Sequence, residues 1–550
     1  MGVRRSTQLS ARERYYKRRF RRIILLFTTA LVIAAVVCGN LVYTVFAPGM
    51  NSEVSQNIPT QQTATEIQVV EETLTPESSS EALDTLEATI TEELPTATPT
   101  VIPYPTEGQI IPASDDSHVL YYTIAGDSLS VVSLHFGVDM DSITSPSPLD
   151  REGLLPPGQL LIIPNTLEET TSTSKLLPDS EVTFSPSTTD FDIEAFVDEA
   201  GGYLSKYTQY LASTGTTSGA DIIARVAIEY SVNPRLLLAF LEFNSGWVYG
   251  TPQTVREIDY PMGYVNVVKK GLYMQTAWFA STVMEGYYGW REGRRLVISF
   301  PDEQVIRIAP DLNAGTVGLM NVFAYLYDYP TWVNLLYGDN SFFNFHEDMF
   351  GNSWIRAQDV EPLIPADTVQ PEMILPFEVG ALWAFTGGPH AAWSAADVWA
   401  AIDFAPASAE TGCHESNAWV LATIPGLIVR SGNGVVVIDM DGDGYEQTGW
   451  TMLYLHIATK DRVPLGDWVE VGDRIGHPSC EGGRSTGTHV HLARRYNGEW
   501  VPADGPLPFT LDGWVAKRGT VAYKGWLIKG DEIIYANTSA TQETQIRREN

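Results

Sequence analysis

His489 and His491 flank Val490 in a strand-like run, and side chains two apart on a strand share a face about 6.6 Å apart. Both imidazoles can therefore enter one site. Gly487-Thr488 just ahead of them permits a close approach of the chain. His456, in Tyr454-Leu-His-Ile457, belongs to a second strand-like run that can lie alongside. Asp403 falls between Ala400-Ala-Ile402 and Phe404-Ala-Pro406, a buried-looking place where a carboxylate is costly unless paired or bound to metal. His390 closes the turn Gly387-Gly-Pro-His390. Zinc takes imidazole nitrogen and carboxylate oxygen, and a catalytic zinc keeps one position open for water. His390, Asp403, His456, His489 and His491 together form an inventory for such a centre.

The elements that must position these residues lie in 370–515, where β-branched and aromatic runs such as LIVR, VVVIDM, TMLYLHI and HVHLARRY alternate with Gly, Asp and Pro. That pattern predicts an antiparallel β domain. Within it, Asp439-Met-Asp-Gly-Asp443-Gly-Tyr-Glu446 has the spacing of the start of a calcium loop but carries Trp450 where the loop's last acid belongs, so a polar hairpin turn is expected. Cys413 and Cys480 flank the site region. In an oxidising compartment they would pair; zinc ligation is the rival, but the nearby histidines make better-placed ligands.

The run Cys480-Glu-Gly-Gly-Arg-Ser-Thr-Gly-Thr-His-Val-His491-Leu, continuing to Tyr496-Asn-Gly498, resembles the beta-lytic (LasA-like) branch of the lysostaphin-type peptidases. The resemblance implies zinc held by His390, Asp403 and His491, with His456 and His489 assisting catalysis. It also implies that Cys480 is disulfide-bonded, although Cys413 falls closer to Asp403 than the family's usual partner does. The commoner lysostaphin pattern places its first ligand four residues before the Asp, where this chain has Trp399, and an indole has no lone pair for a metal. The beta-lytic branch places that ligand thirteen residues before the Asp, the position of His390.

Upstream, 190–365 turns helical, with the break Ser231-Val-Asn-Pro234 separating two helices and long aromatic-rich helices over 272–290 and 317–336. SVNPRLLLAFLEFNSGWV resembles lysozyme-like lytic transglycosylases, whose catalytic Glu precedes a Ser. Asn244 stands there instead, and an amide cannot protonate a glycosidic oxygen, so an inactive domain is expected. Glu242, two residues away, faces a different side of the helix. Residues 117–165 read as strand, helix and strand, and resemble a LysM module in Tyr122-Thr-Ile124, Gly126-Asp127-Ser128-Leu129, Phe136-Gly137-Val138, Pro157-Gly158-Gln159-Leu160 and Ile163-Pro164. The resemblance implies a βααβ fold that binds glycans containing N-acetylglucosamine. Residues 166–189, rich in Ser and Thr, read as a linker, and 516–550 as a C-terminal extension fraying from about Asn537.

The net charge of −32 conceals an asymmetry. Arg and Lys crowd 1–22, read as a cytoplasmic basic segment, while 51–150 holds neither. So acidic a body has no electrostatic footprint for nucleic acid. Residues 23–47 are apolar for longer than the ~20 residues a spanning helix needs, which predicts a signal anchor with the N-terminus cytoplasmic and everything beyond extracytoplasmic. Residues 48–116, rich in Thr, Glu and Pro, read as a disordered stalk. The expectation is thus a multidomain α+β chain: a transmembrane helix, a βααβ LysM module, an all-α lysozyme-like domain and an antiparallel β metallopeptidase domain. It would sit in the cell membrane as a single-pass protein and hydrolyse peptide bonds of peptidoglycan. The competing expectation is an inactive peptidoglycan-binding scaffold.

Overall fold

The computed structural model describes residues 111–112, 117–394, 398–408 and 410–549, all within one compact unit spanning Thr98–Asn550. The basic segment, the apolar stretch 23–47 and nearly all of the stalk lie outside the described residues. Among the described residues no helix is long and apolar enough to cross a membrane. This overturns the membrane-spanning part of the expected fold class, and with it the single-pass location. The helix Leu272–Arg291 has the length but carries Gln275, Glu285 and Arg291, and it packs inside protein.

In 117–165, strands His118–Tyr122 and Leu160–Pro164 pair antiparallel, with Ile111–Pro112 on the outer edge of the first. Alternate residues of both strands point inward, and Tyr121, Leu161 and Ile163 meet Leu129, Val132 and Phe136 of the helix Leu129–Phe136. Where a second helix was expected there is a single 3-10 turn, Met140–Ser142, started by Asp139 accepting the Asp141 N–H. The module rests on the next one. The His135 ring stacks on Trp290 with centroids 3.5 Å apart, and Arg291 donates to the Ala125 carbonyl.

The helical region begins earlier than its composition suggested. Leu176, Leu177 and the stretch 179–183 are buried, so much of the expected linker is part of the core. Its Ser and Thr hydroxyls bond to neighbouring carbonyls, as Ser185 and Ser187 do to Ser180, which is how so polar a segment can be buried. Helices Gly219–Tyr230 and Pro234–Ser245 are divided at Ser231, whose φ of 54° ends the first, and at Asn233, which caps the second ahead of Pro234. Helix Leu272–Arg291 packs on Ala314–Leu326 through Gly286 and Gly318. A Cβ on Gly286 would meet the Asn321 Cβ at 2.6 Å. The helix expected over 317–336 is two helices, because Asp328 caps a fresh start, Tyr329–Tyr337, with Pro330 in its first turn.

The C-terminal region is largely β. Its main sheet contains β1 (Leu382–His390), β2 (Ala401–Pro406), β3 (Gly426–Gly432), β4 (Val435–Asp439), β5 (Trp450–Leu455), β6 (Trp468–Val469), β7 (Val490–Tyr496), β8 (Glu499–Trp500) and β9 (Gln545–Arg547). The order is β6-β3-β4-β5-β7-β2-β1-β9, all neighbours antiparallel, with β8 turned back on the end of β7. A smaller sheet of four strands, from Thr510–Leu511 to Glu532–Tyr535, follows in sequence. The tail that was expected to fray instead returns as β9 beside β1, with Ile546 buried opposite Trp383.

The main sheet is covered on both faces. Val436, Ile438, Met452, Tyr454 and Leu492 enter one apolar core with the smaller sheet, while Val435, Val437, Leu453, Leu455 and Ala493 join the core of the helical region. Burial on both sides explains why VVVID is apolar throughout instead of alternating. Polar links cross the same seam. Glu499 accepts from the Tyr287 hydroxyl and, at 2.8 Å, from Arg291, which also reaches Asp179. Arg495 donates to the Ile228 carbonyl at 2.8 Å.

Candidate metal centre

Three strands bring the ligand candidates together through register alone. Asp403 on β2 lies opposite His491 on β7 on one side and Gly387 on β1 on the other. The β1–β2 pairing shifts register twice between Phe385 and His390, which turns the His390 ring back over Asp403. Gly387 makes that crossing possible: a Cβ there would lie 2.3 Å from Asp403 Oδ2. His456 directly follows β5 with a φ of 68°, a left-handed conformation rarely taken by a residue other than glycine. His489 precedes β7 and bridges to Ser479.

The resulting atoms converge tightly. His390 Nε2 lies 3.0 Å from His491 Nδ1 and 3.3 Å from Asp403 Oδ1, and His491 Nδ1 lies 3.2 Å from the same oxygen. His489 Nε2 stands 3.9 Å from Asp403 Oδ1, and the His456 ring lies 4.5 Å from the His489 ring. All five residues expected from the sequence therefore surround one point.

The opposite nitrogen of every ring is held by a carbonyl. His390 Nδ1 donates to Gly388 O at 2.9 Å, His491 Nε2 to Ala392 O at 3.0 Å, His456 Nδ1 to Glu481 O at 2.8 Å and His489 Nδ1 to Gly487 O at 2.8 Å. A carbonyl can only accept, so each ring's single proton is fixed on the outer nitrogen and its lone pair faces inward. Two imidazole lone pairs and a carboxylate oxygen buried without a hydrogen-bond partner thus face one another. Such an arrangement repels itself unless a cation or an extra proton lies between. A cation bonded at ~2.0–2.1 Å to three corners of a tetrahedron separates those corners by roughly 3.3 Å, close to the edges found here. His390, Asp403 and His491 fit a small divalent cation.

Without that cation, the proton takes over its role. Burial opposes charge on His390, but the Asp403 carboxylate beside it holds its pKa above the ordinary value. Asp403, which burial alone would raise, is held well below the carboxylate range by His390 and His491. Burial pushes His456 down to about 4, helped by His489, so this ring is neutral at pH 7.

Residues 175–364 match the family described as LasA, N-terminal domain. The match lies over the helical region of the chain. No curated protein is similar enough to the chain to count as a relative. Among solved structures, the M23 metalloprotease pseudoalterin from the deep sea is similar at 22% identity and a TM-score of 0.26, over 30% of this chain and 96% of that one. The catalytic domain of lysostaphin from Staphylococcus simulans is similar at 22% identity and a TM-score of 0.17, over 23% of this chain and 89% of that one. The catalytic domain of the prophage-encoded M23 protein EnpA from Enterococcus faecalis, in a mutant form, is similar at 25% identity and a TM-score of 0.17, over 24% of this chain and 94% of that one.

One support of the site, the disulfide, was expected from the sequence, and another, Tyr523, had no signal there. Cys413 and Cys480 are bonded, with Cα atoms 5.9 Å apart. The bridge ties the loop that holds Thr488, through Gly412 O and His414, to the segment whose Glu481 carbonyl holds His456. Tyr523, from the C-terminal extension, stacks on His390 with centroids 4.1 Å apart and a φ of 67°. Only its distance along the chain hid it. Trp399 lies apart from the ligands; its carbonyl accepts from Ala503 and its ring lies under the Arg518 guanidinium. In the helical region, Glu242 accepts the N–H groups of Val248 and Tyr249, and Asn244 donates to the Pro261 carbonyl. Both are thereby committed to shaping a turn.

Proposed function

We propose that the chain is a zinc metalloendopeptidase that hydrolyses peptide bonds of peptidoglycan. The observation that carries the reading is the convergence of two proton-free imidazole nitrogens and an orphaned carboxylate oxygen at 3.0–3.3 Å. A LasA N-terminal domain in the same chain and the Cys480–His491 run support the peptidase assignment over other zinc hydrolases. Nitrogen-rich donors with one carboxylate suit zinc better than calcium or magnesium, which take oxygen.

In this reading His390, Asp403 and His491 hold the zinc, which when bound polarises a carbonyl and lowers the pKa of water. Gly388 and Ala392 fix the two ligand rings through their carbonyls, so the lone pairs are aimed before any metal arrives. His456, neutral at pH 7 and with Nδ1 tied to Glu481, offers Nε2 as an acceptor for a proton from the attacking water. His489, on the neighbouring strand, keeps its own proton on Nδ1 for the Gly487 carbonyl, so it donates to the oxyanion of the tetrahedral intermediate only once Nε2 has accepted a proton. The module of 117–165 contributes glycan contact.

Zinc content of the purified protein and release of peptide fragments from peptidoglycan test this together. Stoichiometric zinc with release that disappears in Asp403→Asn and His491→Ala supports it. A wild type that binds zinc but releases nothing, or that holds none, sinks it.

A further inference from the structure

The loop between β4 and β5 gathers three carboxylates that the metal centre does not use. Asp439, Asp441 and Asp443 each offer an oxygen within 4.8 Å of the others. Like charges this close repel strongly, and among the described residues no Lys, Arg or His forms an ion pair with any of the three. The cationic side chains nearby are engaged elsewhere: Arg430 and Arg495 both bond Glu446.

Asp439 is the decisive member. It is 0% exposed, and its Oδ1 is buried with no hydrogen-bond partner, while its other oxygen accepts the Gly444 N–H at 2.9 Å. A buried carboxylate with one oxygen unsatisfied and two further carboxylates beside it lacks the counter-charge that such burial requires. Burial and the repulsion of Asp441 and Asp443 raise its pKa to about 6. The loop is also closed up against the cluster. A Cβ on Gly449 would lie 2.3 Å from Asp441 Oδ2, and one on Gly442 would meet the Trp468 ring at 2.7 Å.

We propose that this loop is a second cation site, distinct from the histidine centre, that binds calcium through Asp439, Asp441 and Asp443. An all-oxygen donor set on a turn of small residues suits calcium, which accepts irregular coordination, and excludes zinc. The spacing Asp-x-Asp-x-Asp-Gly places three ligands in five residues, as in the first half of an EF-hand loop. The second half differs, because the chain enters β5 at Trp450 instead of supplying a bidentate acid. Affinity therefore belongs to the weak class of such loops, with Kd of about 10⁻⁴–10⁻³ M. The bound ion would clamp the β4–β5 hairpin at the end opposite His456.

The test uses the full chain with its histidine centre loaded, titrated with calcium chloride and followed by equilibrium dialysis and thermal unfolding. One calcium per chain should bind saturably in the range above, and the unfolding midpoint should rise with calcium but not with equal magnesium. Asp441→Asn and Asp439→Asn should weaken binding at least tenfold. In chelator Asp441→Asn should match or exceed the wild-type midpoint, because it relieves repulsion, yet fall below it in calcium. His491→Ala should bind calcium like wild type. The proposal is overturned if calcium does not bind up to about 10 mM, an order above that range. It is equally overturned if binding survives both Asn variants or is lost in His491→Ala.

Discussion

Gly387 shows how a residue without a side chain can decide a metal site. Its missing Cβ is the space in which Asp403 Oδ2 sits, so Gly387→Ala drives a methyl group to 2.3 Å from that oxygen. The Asp moves or β1 moves, and either spreads the three donors. Metal affinity should fall roughly 10–100-fold, the usual scale for disturbing a ligand's supports, as read by competition with a chelator. Tyr523 separates stacking from hydrogen bonding at the same ligand. Tyr523→Phe keeps the face laid on His390 and should leave metal affinity within about twofold, whereas Tyr523→Ala should lower it by about tenfold. His346 makes the opposite case. It is 0% exposed with neither ring nitrogen bonded, and burial pushes it down to about 3. Its folded pKa lies below the unfolded value near 6.5, so the unfolded state takes up the proton first and stability is lost as pH falls from about 6.5 towards 3. The unfolding midpoint of wild type should therefore fall below that of His346→Leu progressively across that window, and a constant gap would refute the assignment.

At the scale of elements, the disulfide and β7 divide the work of assembling the site. The bridge Cys413–Cys480 reaches His456 through Glu481 but no metal ligand. On the proposed function, the double variant Cys413→Ser, Cys480→Ser should keep its metal and lose about 10–100-fold in turnover, with metal content and peptide release measured on the same sample. What was legible in the sequence follows the same division. His489-Val-His491 could be read because a strand's period of two is local, and Asp403 because a charge amid Ala, Ile and Phe demands a partner. Tyr523 and β9 could not, because nothing in a polar C-terminal stretch marks which distant strand it will join. The segment 179–188 looked like a linker for a related reason: hydroxyl groups that bond their own backbone satisfy burial without an apolar signature. The apolar stretch at 23–47 was legible as composition only, and no described helix has the character it suggested.

At the scale of the whole molecule, the seam between the helical region and the main sheet joins residues of both in one core. Glu499, Arg291, Asp179 and Tyr287 form a buried charged network there. Glu499→Ala leaves the Arg291 guanidinium facing a void and should cost about 3–5 kcal/mol, measured by denaturant unfolding. Glu499→Gln retains an acceptor and should cost less. Both the helices and the strands ought to melt together in the wild type, since Val437 and Leu453 belong to the same core as Phe240 and Phe323. A sheet that is a shared wall between two rooms constrains the chain's history as well as its stability. Neither side of that wall can drift alone: a larger residue on a strand has to be answered by a smaller one on a helix. A change of volume on either face of that wall should therefore be tolerated only with a compensating change on the other.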